Sequence, residues 1–417
     1  MKKVIACVGW KIGVAALAIA ALSPLAIAAP PVAKSYIVYV AGGYSRDLGK
    51  GIYGYRLTPS TGDLTPLGLL QEAVRPSWLT AHPNHRFIYV TRDSARPDAS
   101  GIGYGIGAYA RDMATGKLTV LNTVKAAGVA PAQLAIDGAG KILVAANFGN
   151  LDGGVTVASF PISPDGKLGE AVSVFEQKGV SDGPNAPRDA NGLSPTDSHN
   201  HCVMMAPDSR FAFVCNLGLG KVFSFRVNAQ TGALQQNGAP FAMPGGATAR
   251  PHHLAFHPNG KYAYILDGEM RIVTAAYDAA AGSLKAIQTI PILPDKTAGG
   301  AFAGSEIVVS PAGKFVYTSA RAVDTTLKSL REDGSINVFA VNAATGKLTA
   351  IQQISSGGIA PRVIALDPSG GYLFVGNQIS DAVTIFAVDH GTGKLTPTGK
   401  NLKESPEPGG FLFEAEK

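Results

Sequence analysis

One four-residue turn recurs along this chain of 417 residues and restricts its fold more than any other feature. It reads Thr61-Gly62-Asp63-Leu64, Thr115-Gly116-Lys117-Leu118, Asp165-Gly166-Lys167-Leu168, Thr231-Gly232-Ala233-Leu234, Ala281-Gly282-Ser283-Leu284, Thr345-Gly346-Lys347-Leu348 and Thr392-Gly393-Lys394-Leu395. An alternating, strand-like run precedes each copy, as in Ile52–Leu57, Lys221–Val227 and Val383–Val388. A second such run lies further upstream, as in Tyr36–Val40, Tyr262–Leu266 and Tyr372–Gly376. All of these upstream runs except the first follow a hairpin turn such as Pro258-Asn259-Gly260 or Pro368-Ser369-Gly370. For the Asn-Gly copy the pattern predicts a type I′ turn, with φ > 0 at both central residues. Each unit therefore reads as strands A, B and C, the recurring turn, then strand D. Four antiparallel strands repeated at intervals of roughly 50 residues describe a propeller blade.

The first unit lacks an A strand at the N-terminus. The tail supplies one, because Pro408-Gly409-Gly410-Phe411-Leu412-Phe413 resembles inner strands such as Pro361-Arg362-Val363-Ile364-Ala365-Leu366. The reading is an all-β chain: one seven-bladed β-propeller of four-stranded antiparallel blades, closed by a C-terminal strand that leaves no open sheet edge. No linker-like stretch divides the repeats. Lys178–Ser198, rich in Gly, Pro and Asn, reads as a long loop on one face.

The domain extends over residues 29–417, because residues 1–28 read as a signal peptide. Met1-Lys2-Lys3 is followed by an apolar run and then by Ala26-Ile27-Ala28, an A-x-A cleavage site. The run between Lys11 and Pro24 is shorter than the roughly 20 residues a membrane-spanning helix needs. The mature protein is expected to be periplasmic or secreted, not membrane-bound, and monomeric. Removing Lys2, Lys3 and Lys11, with no acidic residue, takes the formal charge from +6 to +3, too little to argue for nucleic acid. A hydrophobic content of 46% excludes a disordered chain.

A strands line the central channel of a propeller. Aligning them on their turns places Ser77, Ala132, His201, His252, Ser305, Arg362 and Gly409 or Gly410 at one equivalent position. Strand alternation then points them at one channel mouth. Arg250 and Glu306 are adjacent. The B-to-C loops bring Asn147, Asn216, Asp267, Glu269, Arg321, Asn377 and Gln378 to the same end. Histidines and arginines converging on one mouth suit an anionic or carbonyl substrate. His82 and His257, each followed by Pro in a turn, read as structural. His199 and His253 have the opposite alternation and read as packed or rim residues. Carboxylates are few here and arginines many, and His199-Asn200-His201 lacks a third predictable ligand. No metal and no cofactor is expected.

At these residues the chain resembles the bacterial lactonase family of seven-bladed propellers, of the 6-phosphogluconolactonase type, to which the fungal carboxy-muconate lactonizing enzyme is also similar. The resemblance rests on Gly42-Gly43-Tyr44 with Gly51-Ile52-Tyr53, His199-Asn200-His201, Asn216-Leu217-Gly218, the stretch from Arg250 to Glu269, Arg321, and Pro361-Arg362 with Asn377-Gln378. It implies a carboxylic ester hydrolase acting on a small lactone. The family's catalytic histidine, glutamate and last arginine correspond to His201, Glu269 and Arg321. Its first arginine falls on His252, with Arg250 two residues earlier, which bears on whether the substrate is phosphorylated. Arg250, His252, Arg362 and Gln378 are assigned to substrate binding. The expected chemistry is water attack assisted by His201, with arginine stabilising the oxyanion. An exported propeller that binds a protein or glycan without catalysis, or a muconate-type lactonizing enzyme, are the alternatives.

Cys202 and Cys215 fall on the A and B strands of one blade, directly opposite each other if the turn centres between Asp208 and Ser209. Such a pair can form a disulfide or remain two buried thiols.

Overall fold

A computed structural model describes residues 33–43, 51–97, 101–149, 153–177, 197–292, 302–322, 333–402 and 405–416. The signal-peptide reading and nearly all of the 178–198 loop fall outside the described residues. Among the described residues no helix is long and apolar enough to cross a membrane.

Seven antiparallel sheets, each built around a four-strand meander, make seven blades. Their inner A strands are Gly410–Ala415, Leu79–Ala81, Pro131–Ile136, Asn200–Met205, Pro251–Phe256, Phe302–Val309 and Pro361–Leu366, for blades one to seven. Each inner strand touches the inner strands of both neighbouring blades, so the ring is closed. Blade one is completed by the tail. Tyr36 to Ala41 pair antiparallel with Ala415 to Gly410, residue for residue. Beside this seam Arg111 Nη1 lies 3.2 Å from Glu414 Oε2, both side chains buried, and His85 Nδ1 lies 3.1 Å from the same oxygen. Burial pushes the Glu414 carboxyl up despite the Arg111 guanidinium and the His85 contact beside it.

The core lies between blades. Strand residues on one face of a sheet pack against the opposite face of the next sheet, giving clusters such as Phe213, Ile265 and Tyr277 between blades four and five. Cys202 and Cys215 are paired in register within the first of these blades, fully buried, and present as two free thiols.

The recurring turn has a structural role of its own. Its glycine carbonyl accepts a hydrogen bond from a hydroxyl of the preceding blade. Tyr39 donates to Gly116 at 2.9 Å, Tyr89 to Gly166 at 3.0 Å and Ser159 to Gly232 at 2.6 Å. Ser224 donates to Gly282 at 2.8 Å, Tyr264 to Gly346 at 3.1 Å and Tyr317 to Gly393 at 3.0 Å. At the seam between blades seven and one the donor is Lys400 Nζ, 3.1 Å from the Thr61 carbonyl. The turn glycine must be left-handed. Gly166 has φ +85°, and a Cβ there would overlap the Phe87 ring of the adjacent blade. Gly166→Ala should cost about 1–3 kcal/mol, read as a fall in the urea midpoint with little change in m-value. An unchanged midpoint would contradict this account of the turn.

The A–B hairpin of blade five departs from the predicted type I′ geometry. Gly260 alone has positive φ among its turn residues, and its N–H donates to the His257 carbonyl at 2.9 Å. Pro258 explains the difference. Its ring fixes φ near −65°, suited to the first central position of a type I turn. His257 caps this turn, taking the Asn259 N–H at Nδ1 (3.0 Å), while its Nε2 lies 2.8 Å from the Gly313 carbonyl of the next blade. His82 does the same through Asn84 and Gly140. Both are structural, as read from sequence.

Candidate functional site

The site is built by a repeated irregularity in the inner strands. In blades three to seven the A strand carries one extra residue relative to its B partner. The register breaks fall at Pro131/Gln133, Asn200/Cys202, Pro251/His253, Gly304/Ile307 and Pro361/Val363. A β-bulge re-aims side chains, so that two consecutive residues can face the same side. Here the side that gains residues is the channel. One cavity, partly open to solvent, is lined by Ser77, Ala132, His201, His252, Ser305, Arg362 and Gly409, the ring of equivalent positions. The bulges add His253 beside His252, Glu306 beside Ser305 and Val363 beside Arg362, and Trp78 and Arg321 complete the lining.

Three imidazoles meet in this cavity. The ring centroids of His201 and His252 lie 3.6 Å apart, and each lies 4.9 Å from that of His253. Two of the three are oriented by partners. His252 Nδ1 sits 2.8 Å from the Ser305 carbonyl, and His253 Nδ1 sits 2.8 Å from Glu306 Oε1. Glu306 is itself buried and accepts from the Ile307 N–H at 3.0 Å, which fixes its carboxylate. His201 Nδ1 is buried and has no hydrogen-bond partner among the described residues. The His201 ring also meets Phe148 edge-on, at 6.0 Å.

Burial, then the positive charge of neighbouring His253, Arg362 and Arg321, holds His201 well below the ordinary histidine value. His252 is lowered in the same way, by burial first and then by His201, His253 and the same two arginines. His253 differs. Burial lowers it, but the charge of Glu306 and the hydrogen bond to it outweigh burial, and the net shift is upward. The two depressed groups tie stability to pH. The unfolded chain takes up protons on these histidines near pH 6.5, whereas the folded chain does so only at lower pH. Their contribution is complete above about pH 6.5 and is lost as pH falls below it. The melting temperature should therefore drop between about pH 7 and pH 5. His253 acts in the opposite direction, so the informative comparison is between wild type and His252→Gln, in which the drop should shrink. An equal drop in both would contradict the assignment for His252.

Of the residues singled out in the sequence, His201, His252, Arg321 and Arg362 converge on the cavity. Arg250, Glu269 and Gln378 are not among its lining residues. Arg250 ends a short 3₁₀ turn in a left-handed conformation, and its carbonyl accepts the Gly268 N–H at 2.9 Å. Glu269 is exposed. The Gln378 backbone N–H donates to the Ala360 carbonyl at 2.9 Å. Asn147, Asn216 and Asn377, expected at the same mouth, are fully buried and tie loops together, as when Asn216 bonds Ser198 and Asn200. Asp267 pairs with Arg271 at 2.8 Å. His253, Glu306, Val363 and Trp78 line the cavity although alternation alone did not assign them to the channel. For the first three the signal is the bulge, which five inner strands share.

A family profile described as "Lactonase, 7-bladed beta-propeller" matches residues 38–413. The chain is 29% identical over 362 residues to a 6-phosphogluconolactonase of Bacillus subtilis, covering 87% of this chain and 93% of that one. It is 28% identical to a 6-phosphogluconolactonase of Formosa agariphila, covering 85% and 93%. Among solved structures, a periplasmic gluconolactonase of Pseudomonas aeruginosa superposes with a TM-score of 0.79 at 26% identity, covering 92% of this chain and all of that one.

Proposed function

Since the chain belongs to the lactonase family of seven-bladed β-propellers, we propose that it hydrolyses a small, unphosphorylated sugar-type lactone outside the cytoplasm, as a monomer. The observation that carries this reading is the convergence of His201, Arg321 and Arg362 on one cavity. His201 accepts a proton from water as the water oxygen attacks the lactone carbonyl carbon. The carbonyl oxygen becomes an oxyanion, and the guanidinium groups of Arg321 and Arg362 bind it and the substrate's polar edge. Collapse of this intermediate breaks the ring C–O bond. The released alkoxide takes up a proton, and the product is the open-chain hydroxy acid. His253, held by Glu306, and His252, held by the Ser305 carbonyl, fix the walls against which the lactone ring rests.

An unphosphorylated substrate is favoured by the charge of the site. Two arginines line the cavity, while Arg250 does not, and His252 stands where the family resemblance would place an arginine. The leader-like N-terminus supports export, as does the similarity to a periplasmic gluconolactonase. The test is a hydrolysis assay followed with a pH indicator on glucono-δ-lactone and its 6-phosphate. Turnover of the free lactone at a higher kcat/KM than the phosphate is expected. A flat trace on both would favour a propeller that only binds its ligand.

A further inference from the structure

His201, His252 and His253 bring one ring nitrogen each to within 4.8 Å of one another. We propose that these three imidazoles form a site for a single divalent cation of the zinc class, and that cation binding and hydrolysis at His201 exclude each other. The second half rests on the reading of His201 as the base; the first does not.

Several observations beyond proximity support the site. His253 uses Nδ1 for Glu306 and His252 uses Nδ1 for the Ser305 carbonyl, so Nε2 is the nitrogen each has left to offer a ligand. A ligating histidine typically has its other nitrogen held by a carboxylate or a backbone carbonyl, which orients the ring and raises its basicity. His201 contributes a third imidazole whose Nδ1 is buried and has no hydrogen-bond partner among the described residues. Three histidines with an open fourth position are the donor set of a zinc site that keeps one exchangeable ligand. Zn–N bonds of about 2.0–2.1 Å in a tetrahedron require nitrogens roughly 3.3 Å apart, so the nitrogens must draw together while the His201 and His252 rings, now 3.6 Å between centroids, swing apart about their side-chain torsions.

Arg321 and Arg362 in the same lining oppose a bare cation, and Glu306 is the one carboxylate that offsets them. The fourth ligand is therefore an anion, such as hydroxide or a carboxylate, bound between the metal and the guanidinium groups. A cation on the His201 lone pair removes the group that would accept a proton from water. The expectation of no metal is drawn with His253 turned away from the channel by strand alternation, and the bulge turns it back.

The test uses tag-free full-length protein, stripped with a chelator and titrated with Zn²⁺ by calorimetry, with Co²⁺ as a spectroscopic probe. One ion per chain is expected, with a tetrahedral Co²⁺ visible spectrum and no thiolate charge-transfer band. Glu306→Gln should weaken binding about 10- to 100-fold, and His253→Ala should abolish it. Circular dichroism checks that both variants are folded. No stoichiometric ion in wild type, or unchanged affinity in a folded His253→Ala, would overturn the site. Zinc should also abolish lactone hydrolysis, reversibly with chelator. Full hydrolysis by zinc-loaded protein would overturn the mutual exclusion while the binding result stood. Stripped protein that binds zinc but hydrolyses no lactone would refute the proposed function and leave the site intact.

Discussion

A chain ending at Leu402 should lose more than about 5 kcal/mol of stability, or fail to accumulate in soluble form. The missing segment carries the inner strand of blade one, whose six residues pair with Tyr36–Ala41. Its removal exposes a long, apolar edge strand, which invites association between chains. Phe411 and Phe413 go with it, stacked edge-on against Phe374 at 6.1 and 5.0 Å. Glu414 goes too, and leaves the Arg111 guanidinium buried beside Tyr39 without its carboxylate. Removing one partner of a buried ion pair costs about 3–5 kcal/mol alone, since the remaining charge stays desolvated. Soluble yield and the urea midpoint measure the effect. A truncated protein with the wild-type midpoint would mean that the ring is closed by other contacts.

The second large effect concerns His201. His201→Ala should lower kcat on the preferred lactone by about 10²–10⁴-fold, the usual range for a lost general base, with KM changed far less. The fold should persist, because His201 lies at the cavity and its strand is held by the Asn200–Met205 ladder, not by the imidazole. Arg321→Met should lower kcat as well. Unlike His201→Ala, it should also weaken binding of the product acid, because it removes a cation and not a base. Near-wild-type kcat in a folded His201→Ala would remove His201 from the mechanism, whatever the arginine variant did.

The ring was legible because its repeat serves a structural need in every blade. At six of the seven junctions the recurring turn presents a glycine carbonyl to a hydroxyl of the blade before it, so the motif persists where blades meet. The hairpin tips fixed the phase of the inner strands, and this phase places His201, His252 and Arg362 correctly at one level of the channel. What the sequence hid is local. A single extra residue before His253 breaks the period of two, and the same break brings Glu306 inward. Glu269 and Arg250 misled because both follow tight backbone reversals. Arg250 is left-handed with φ 48°, and Asp267 folds the following loop back by accepting from the Arg271 backbone N–H and guanidinium. Past such points alternation carries no information about direction. Pro258-Asn259-Gly260 shows the same limit in a turn, where Asn-Gly suggests one geometry and the preceding proline selects another.

The seam in blade one has a consequence for the order of events in time. Tyr36 finds its partner in Ala415, nearly the whole length of the chain away. Blades two to seven draw their four strands from contiguous stretches and can assemble as the polypeptide emerges, whereas the first cannot be completed until the last has been made. Contacts of such long separation form slowly, since the chain between their ends must be ordered before they are rewarded. A partly synthesised molecule is thus an open arc with two unsatisfied faces, and the final dozen residues act as a latch that converts an arc into a ring. Interrupted-refolding experiments should accordingly find protection of Tyr36–Ala41 amides arising last, together with those of Gly410–Ala415.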